Sequence, residues 1–138
     1  MKITYAGNTF PGDRDYNEDF FLIKESEKGY CFLLADGLGG HGKGEVASRL
    51  VCETAAQFFE ESPTTEDIYG MFDMAQDKLL EKQKEEHAED AMKTTMNIIT
   101  LDKELIRWGH VGDTRTYHFK KHKIVSRTKD HSVPQMMV

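Results

Sequence analysis

Apolar and polar residues change their spacing three times along this chain. Ile3 to Ala6 and Phe20 to Lys24 read as strands, and Tyr30 to Ala35 is an apolar run of the length a buried strand takes. From Gly44 to Glu61 the period lengthens, with Ala47, Val51, Ala55, Phe58 and Phe59 recurring at helical intervals. A break at Ser62-Pro63-Thr64-Thr65 offers N-cap hydroxyls for a second helix, whose stripe is Ile68, Phe72, Ala75 and Leu79. That helix runs into the charged stretch Glu81 to Asp90, read as a solvated helix end and loop. Short apolar segments then return at Thr95 to Leu101, Leu105 to Val111, Thr116 to Phe119 and Ile124 to Arg127. Helices grouped between strands predict an α+β fold, layered around an antiparallel sheet. Ser132-Val133-Pro134-Gln135 reads as a helix start, with Ser as N-cap and Gln in capping-box position. The helix it announces has about one turn of sequence left, so the chain is expected to be cut inside an element.

Composition narrows the function without naming it. A chain of 138 residues with 38% hydrophobic and 10% aromatic residues holds enough apolar mass for one folded domain. No repeat, low-complexity tract or long linker divides it. The formal charge of -6 and a pI near 5.5 argue against a nucleic-acid binder held by bulk positive charge. No apolar run approaches the roughly 18 residues of a membrane span, and the N-terminus lacks the apolar region of a signal peptide. Cys31 and Cys52 stand singly in apolar surroundings and read as buried, reduced thiols of a cytoplasmic protein.

The chemistry concentrates in two acidic clusters flanking the first hairpin. A turn at Glu27-Lys28 sets Ser26 against Gly29 and, counting back along both arms, Asp19 against Asp36, with Glu18 beside them. Like charges directly opposed on a sheet are destabilising, so carboxylates at one strand end call for a cation or a raised pKa. Oxygen donors without paired His and Cys suit a hard divalent ion better than zinc. With another register they are ordinary turn acids. The following Asp36-Gly37-Leu38-Gly39-Gly40-His41-Gly42 is a glycine-rich passage from strand to helix, where backbone can approach a ligand closely. Arg14 is a candidate phosphate anchor, since its planar fork matches two oxygens, though a lone Arg is more often a surface ion-pair partner. Gly37 to Lys43 also fits the G-x-x-x-x-G-K of a P-loop nucleotide binder, but the next position is Gly44 rather than Ser or Thr. That reading leaves Glu18, Asp19 and Asp36 without a role.

Taken together, the motifs resemble the metal-dependent serine/threonine protein phosphatases of type 2C, in their bacterial form. Arg14-Asp15-Tyr16-Asn17-Glu18-Asp19 is similar to the family's R-x-x-N-E-D, Asp36 to His41 to its D-G-x-G-G-H, and Gly44 to Ser48 to its G-E-x-A-S. His110 to Tyr117 resembles H-V-G-D-S-R-x-Y, and Thr128 to Ser132 its T-x-D-H-S. Lys93-Thr94-Thr95 is similar to its G-T-T, with Lys in place of the usual Gly. The resemblance implies a four-layer α-β-β-α sandwich, incomplete at the C-terminus, with residues 1–138 forming the N-terminal part of a single domain. It implies hydrolysis of phosphoserine and phosphothreonine in proteins by a metal-activated water, against a Ser/Thr kinase. Two manganese or magnesium ions would serve the complete domain, and one or none this chain. By that resemblance Glu18, Asp19, Asp36, the Gly37 carbonyl and Asp113 belong to the metal site, and Arg14 grips the substrate phosphate. Leu38 stands where some members carry a His, so no general acid is assigned.

No Asp follows Asp130, whereas the family draws further ligands from later aspartates. The expected consequences are weak or absent activity for this chain, and an unpaired sheet edge that invites dimerisation. A non-catalytic binding or regulatory remnant is the alternative. Neither nucleic acid nor membrane is an expected partner.

Overall fold

The computed structural model describes residues 2–40 and 42–131. His41 and the helix start expected at Ser132 lie outside the described residues. The first elements are an antiparallel hairpin, β1 (Asp19–Ser26) and β2 (Gly29–Leu38). Two helices follow, α1 (Lys43–Glu61) and α2 (Ile68–Glu85). The chain then returns through β3 (Lys93–Thr94), β4 (Met96–Leu101), β5 (Ile106–Val111), β6 (Tyr117–Lys120) and β7 (Lys123–Arg127). The main sheet has the order β1-β2-β4-β5, with β3 paired to β2, and β6-β7 forms a separate ribbon.

The period-two alternation of β2 decides the layering. Cys31, Leu33 and Ala35 turn one way and are buried against the helices, together with Ile98 of β4. From α1, Ala47, Val51, Ala55 and Phe59 are buried on one helical face as the spacing predicts, Cys52 joins them, and Phe58 packs at the margin. From α2, Ala75 and Leu79 are buried as expected and Met71 joins them, while Ile68 and Phe72 pack at the margin. Burial pushes both thiols up to about 12, so Cys31 and Cys52 are inert reduced cysteines within the core.

The opposite face of the sheet is covered thinly. Asn97 donates to Thr116 Oγ1 at 2.9 Å, and Trp108 meets His118 edge-on at 6.0 Å, which hangs the β6-β7 ribbon over β4 and β5. Tyr5 packs edge-on against Tyr30 and Phe32 of β2. The fold is therefore α+β, with a helical layer, the main sheet and part of a second β layer among the described residues.

Two local expectations need correction. Ile3 to Ala6 forms no strand: its residues lie across the sheet face, where Tyr5 finds two rings, and join no ladder among the described residues. The α2 N-cap is Asp67, which accepts from Gly70 N at 2.8 Å, rather than a residue of Ser62–Thr65. Ser62 instead closes α1, donating to the Phe58 carbonyl from its amide at 2.9 Å and its hydroxyl at 2.7 Å.

One contact ties the hairpin turn to the helical layer. Lys28, in the turn between β1 and β2, donates from Nζ to the carbonyls of Phe59, Glu60 and Ser62 at the end of α1, and lies over the Phe59 ring. A cation at a helix C-terminus satisfies carbonyls that have no helical partner and meets the negative end of the dipole. Lys28→Ala is expected to lower the unfolding free energy by about 1–2 kcal/mol, read as a shift of the urea midpoint with an unchanged slope.

Candidate functional site

The hairpin register is the one the turn predicts: Ser26 pairs with Gly29 and Asp19 with Asp36. Two carboxylates therefore face each other at the open end of β1 and β2. Local bonds fix both backbones there. Asp19 N donates to the side-chain oxygen of Asn17 at 3.0 Å, and Asn17 is held in turn by Thr9 Oγ1 at 2.9 Å. Asp36 N donates to Thr95 Oγ1 at 3.0 Å, and the Thr95 amide returns a bond to the Asp36 carbonyl at 3.0 Å. Asn17 and Thr95 thus position the two acids, and the spacing of the carboxylates along the chain carried no sign of either role.

The β5–β6 loop arrives at the same place. Thr95 Oγ1 and Thr114 Oγ1 are 2.6 Å apart, next to Asp113. Gly112, with φ of 101°, passes so close to Thr95 that a Cβ would lie 2.5 Å from its Cγ2. Arg115 then forms a two-pronged pair with Asp130, at 2.9 and 2.8 Å, and reaches the Tyr117 hydroxyl. That pair holds the Asp130 carboxyl below the usual range and locks the loop to the segment after β7.

The electrostatics follow from this geometry. Asp36 is pushed up from 3.8 to about 6, first by desolvation, then by its hydrogen bond to Asp19 and the charges of Asp19 and Asp113, with Arg14 opposing. A cleft of about 150 Å³ opens beside it, lined by Phe10, Arg14, Asn17, Glu18, Asp19 and Asp36 among others. Arg14 therefore shares the cleft with the acids, as a phosphate anchor would.

Glu18 behaves differently from its neighbours. Its Oε2 is directed towards the start of α1, where a Cβ on Gly44 would lie 1.9 Å away. It is buried there and has no hydrogen-bond partner among the described residues. The α1 N-terminus has Gly42 as N-cap and no side-chain cap, so a negative group beside it is favoured by the helix dipole. Successive residues of an extended chain point to opposite sides, which separates the Glu18 carboxylate from the pair at Asp19 and Asp36.

The donors fit a hard divalent cation in kind. Two opposed carboxylates, one of raised pKa, offer oxygen ligands where negative charge is uncompensated. In number they fall short: among the described residues, no three His, Cys, Asp or Glu side chains converge on one position. Gly37, buried beside Asp36, approaches the α1 backbone so closely that a Cβ would sit 1.9 Å from the Gly44 carbonyl oxygen. Among the described residues of Gly37 to Lys43 no phosphate cradle is seen: Gly37 and Leu38 belong to β2, and the Lys43 ammonium pairs with Glu86 at 2.9 Å.

The family model for Protein phosphatase 2C matches residues 11–133. The serine/threonine protein phosphatase PstP of Mycobacterium tuberculosis is 31% identical over 109 residues, covering 76% of this chain and 21% of that protein. The serine/threonine phosphatase stp of Listeria monocytogenes is 27% identical over 128 residues, covering 87% of this chain and 51% of that protein. The chain thus spans about half, or less, of the length of these relatives. Among solved structures, Stp1 from Staphylococcus aureus superposes with a TM-score of 0.81 at 26% identity, over 94% of this chain and 54% of that one. The catalytic domain of PstP in complex with two manganese ions gives 0.74 at 28% identity, over 90% of this chain and 54% of that one.

Proposed function

This chain belongs to the protein phosphatase 2C family, and on that premise we propose that it is the N-terminal part of a single domain that removes phosphate from serine and threonine in proteins. The observation that carries the reading is the Asp19–Asp36 pair, opposed in register with Asp36 raised to about 6 and Arg14 in the same cleft. Asp36 and Asp19 would hold manganese or magnesium, with the Gly37 carbonyl and Asp113 as further oxygen donors and Glu18 behind the strand end. When bound, the metal neutralises these acids and lowers the pKa of a coordinated water. Arg14 would take two phosphate oxygens on its guanidinium and orient the phosphoryl group towards the acids. No side-chain nucleophile is needed. The substrate would be a cytoplasmic phosphoprotein supplied by a Ser/Thr kinase. The backbone edges of β1 and β5, which flank the main sheet, would serve for dimerisation.

A second reading has its own observation. The described carboxylates are too few to close a coordination sphere, which favours a phosphatase-like binding module without turnover. Two measurements separate the readings: heat on titrating manganese into the chain, and phosphate released from a phosphothreonine peptide. We expect manganese binding with weak, manganese-dependent release by this chain. Release that depends on manganese and falls in Arg14→Ala supports the catalytic reading. Binding with no release at all supports the module, and no heat of binding removes the metal-dependent catalytic reading.

A further inference from the structure

The β6-β7 ribbon carries charge that the acidic site does not use. Six of the chain's 18 Lys and Arg lie between residues 114 and 129, and none of its 24 Asp and Glu does. The remaining residues therefore set 12 Lys and Arg against all 24 acids. Arg115 is committed to Asp130. Among the described residues, Lys120, Lys121 and Lys123 pair with no carboxylate.

Two features of the ribbon cost stability, and no contact among the described residues offsets them. Lys120 stands directly opposite Lys123, a like-charge cross-strand pair that destabilises a ladder. Lys121 and His122 form the two-residue turn with φ of 52° and 64°, a conformation that Asn-Gly adopts without strain and Lys-His does not. Every residue from Lys120 to Val125 is exposed, so no packing compensates. Strain and repulsion that folding does not require point to function. Beside the cations, Tyr117 and Phe119 stack at 6.3 Å between centroids, and both are exposed.

We propose that the β6-β7 ribbon is a docking surface for a short acidic segment of a protein partner, its carboxylates meeting Lys120, Lys121, Lys123 and Arg127 and its apolar side chains resting on Tyr117 and Phe119. Strands of four and five residues span about 14 Å at ~3.4 Å per residue, the reach of a few extended residues. A nucleic-acid duplex needs roughly 600 Å² or more of protein surface and would meet the acidic remainder of the chain. The inference stands apart from the phosphatase reading, because binding requires no turnover.

The test is fluorescence anisotropy of a labelled, unphosphorylated Asp/Glu-rich peptide titrated with the full 138-residue chain. Binding is expected at low salt and is lost at about 1 M salt, where the Debye length is about 3 Å. Lys120→Ala with Lys123→Ala should weaken it roughly tenfold. Lys121→Asn with His122→Gly relaxes the turn while removing charge, so it should raise the melting temperature and still weaken the peptide. A purely structural role for these residues predicts no such opposition. Three results overturn the proposal: no binding of the peptide, binding by both variants as tight as by wild type, or tighter binding of a DNA duplex or phosphatidylserine vesicles than of the peptide.

Discussion

Gly37→Ala is expected to cost about 3 kcal/mol of unfolding free energy, at the upper end of what overpacking usually costs. The methyl group would stand 1.9 Å from the carbonyl oxygen of Gly44, 2.4 Å from its carbonyl carbon and 2.8 Å from its Cα. All three are backbone atoms at the start of α1, so no side chain can rotate aside. Relief requires moving the helix away from β2, and that separates Ala47, Val51 and Phe59 from the sheet face that buries them. With a total stability of roughly 5–15 kcal/mol for a domain, the loss is a large fraction, and the melting temperature should fall by about 10 °C. Gly40→Ala, three residues on, is the control. A Cβ there meets nothing within 4 Å, so its effect should stay within about 0.5 kcal/mol. Thermal melts of the two variants side by side make the comparison. Equal stability of both would mean that the β2–α1 approach is looser than the structure has it.

The same close approach shows what was legible in the residues and what was not. The Asp19–Asp36 pairing followed from one local fact, a turn at Glu27-Lys28, because a hairpin propagates its register residue by residue. The helix stripes were legible for the same reason, since period and burial are properties of a few consecutive turns. Glu18 was not. Sequence adjacency placed it with Asp19, whereas the vacancy left by Gly44 on a distant helix draws its carboxylate to the other side. Thr95 was not legible as a positioning residue because its partner Asp36 is set by tertiary contact over a separation of 59 residues, whereas Asn17 bonds Asp19 only two residues on, the local pattern of an Asx-turn. The strand expected at Ile3 to Ala6 failed similarly. Its apolar residues signal burial, yet only Ile3 is half-buried, while Tyr5 and Ala6 stay exposed and Tyr5 meets the rings of Tyr30 and Phe32 edge-on rather than a neighbouring strand.

Asp36→Asn should stabilise the chain in chelator at neutral pH and abolish its stabilisation by manganese. The Asp36 carboxyl is raised to about 6 in the fold against an ordinary 3.8, so between these values the folded state binds more protons than the unfolded one. Stability therefore falls as pH rises through that window. The contribution of Asp36 is complete below about pH 4 and gone above about pH 6. Asn cannot ionise and keeps a donor for the Asp19 carboxylate, so the variant should gain about 1 kcal/mol over wild type at pH 7, after discounting for solvent in the open cleft. At pH 4 the two should melt together. Manganese reverses the order, because the charge that costs stability in the empty site is what binds the ion. At roughly 100 times its dissociation constant, the ion should add about 2.7 kcal/mol to wild type and little to Asp36→Asn. Denaturation midpoints at pH 4 and 7, each with chelator and with manganese, give the full comparison. A variant that is less stable than wild type at pH 7 in chelator would assign the raised carboxyl a structural role. A variant that manganese stabilises as much as wild type would move the ion away from Asp36.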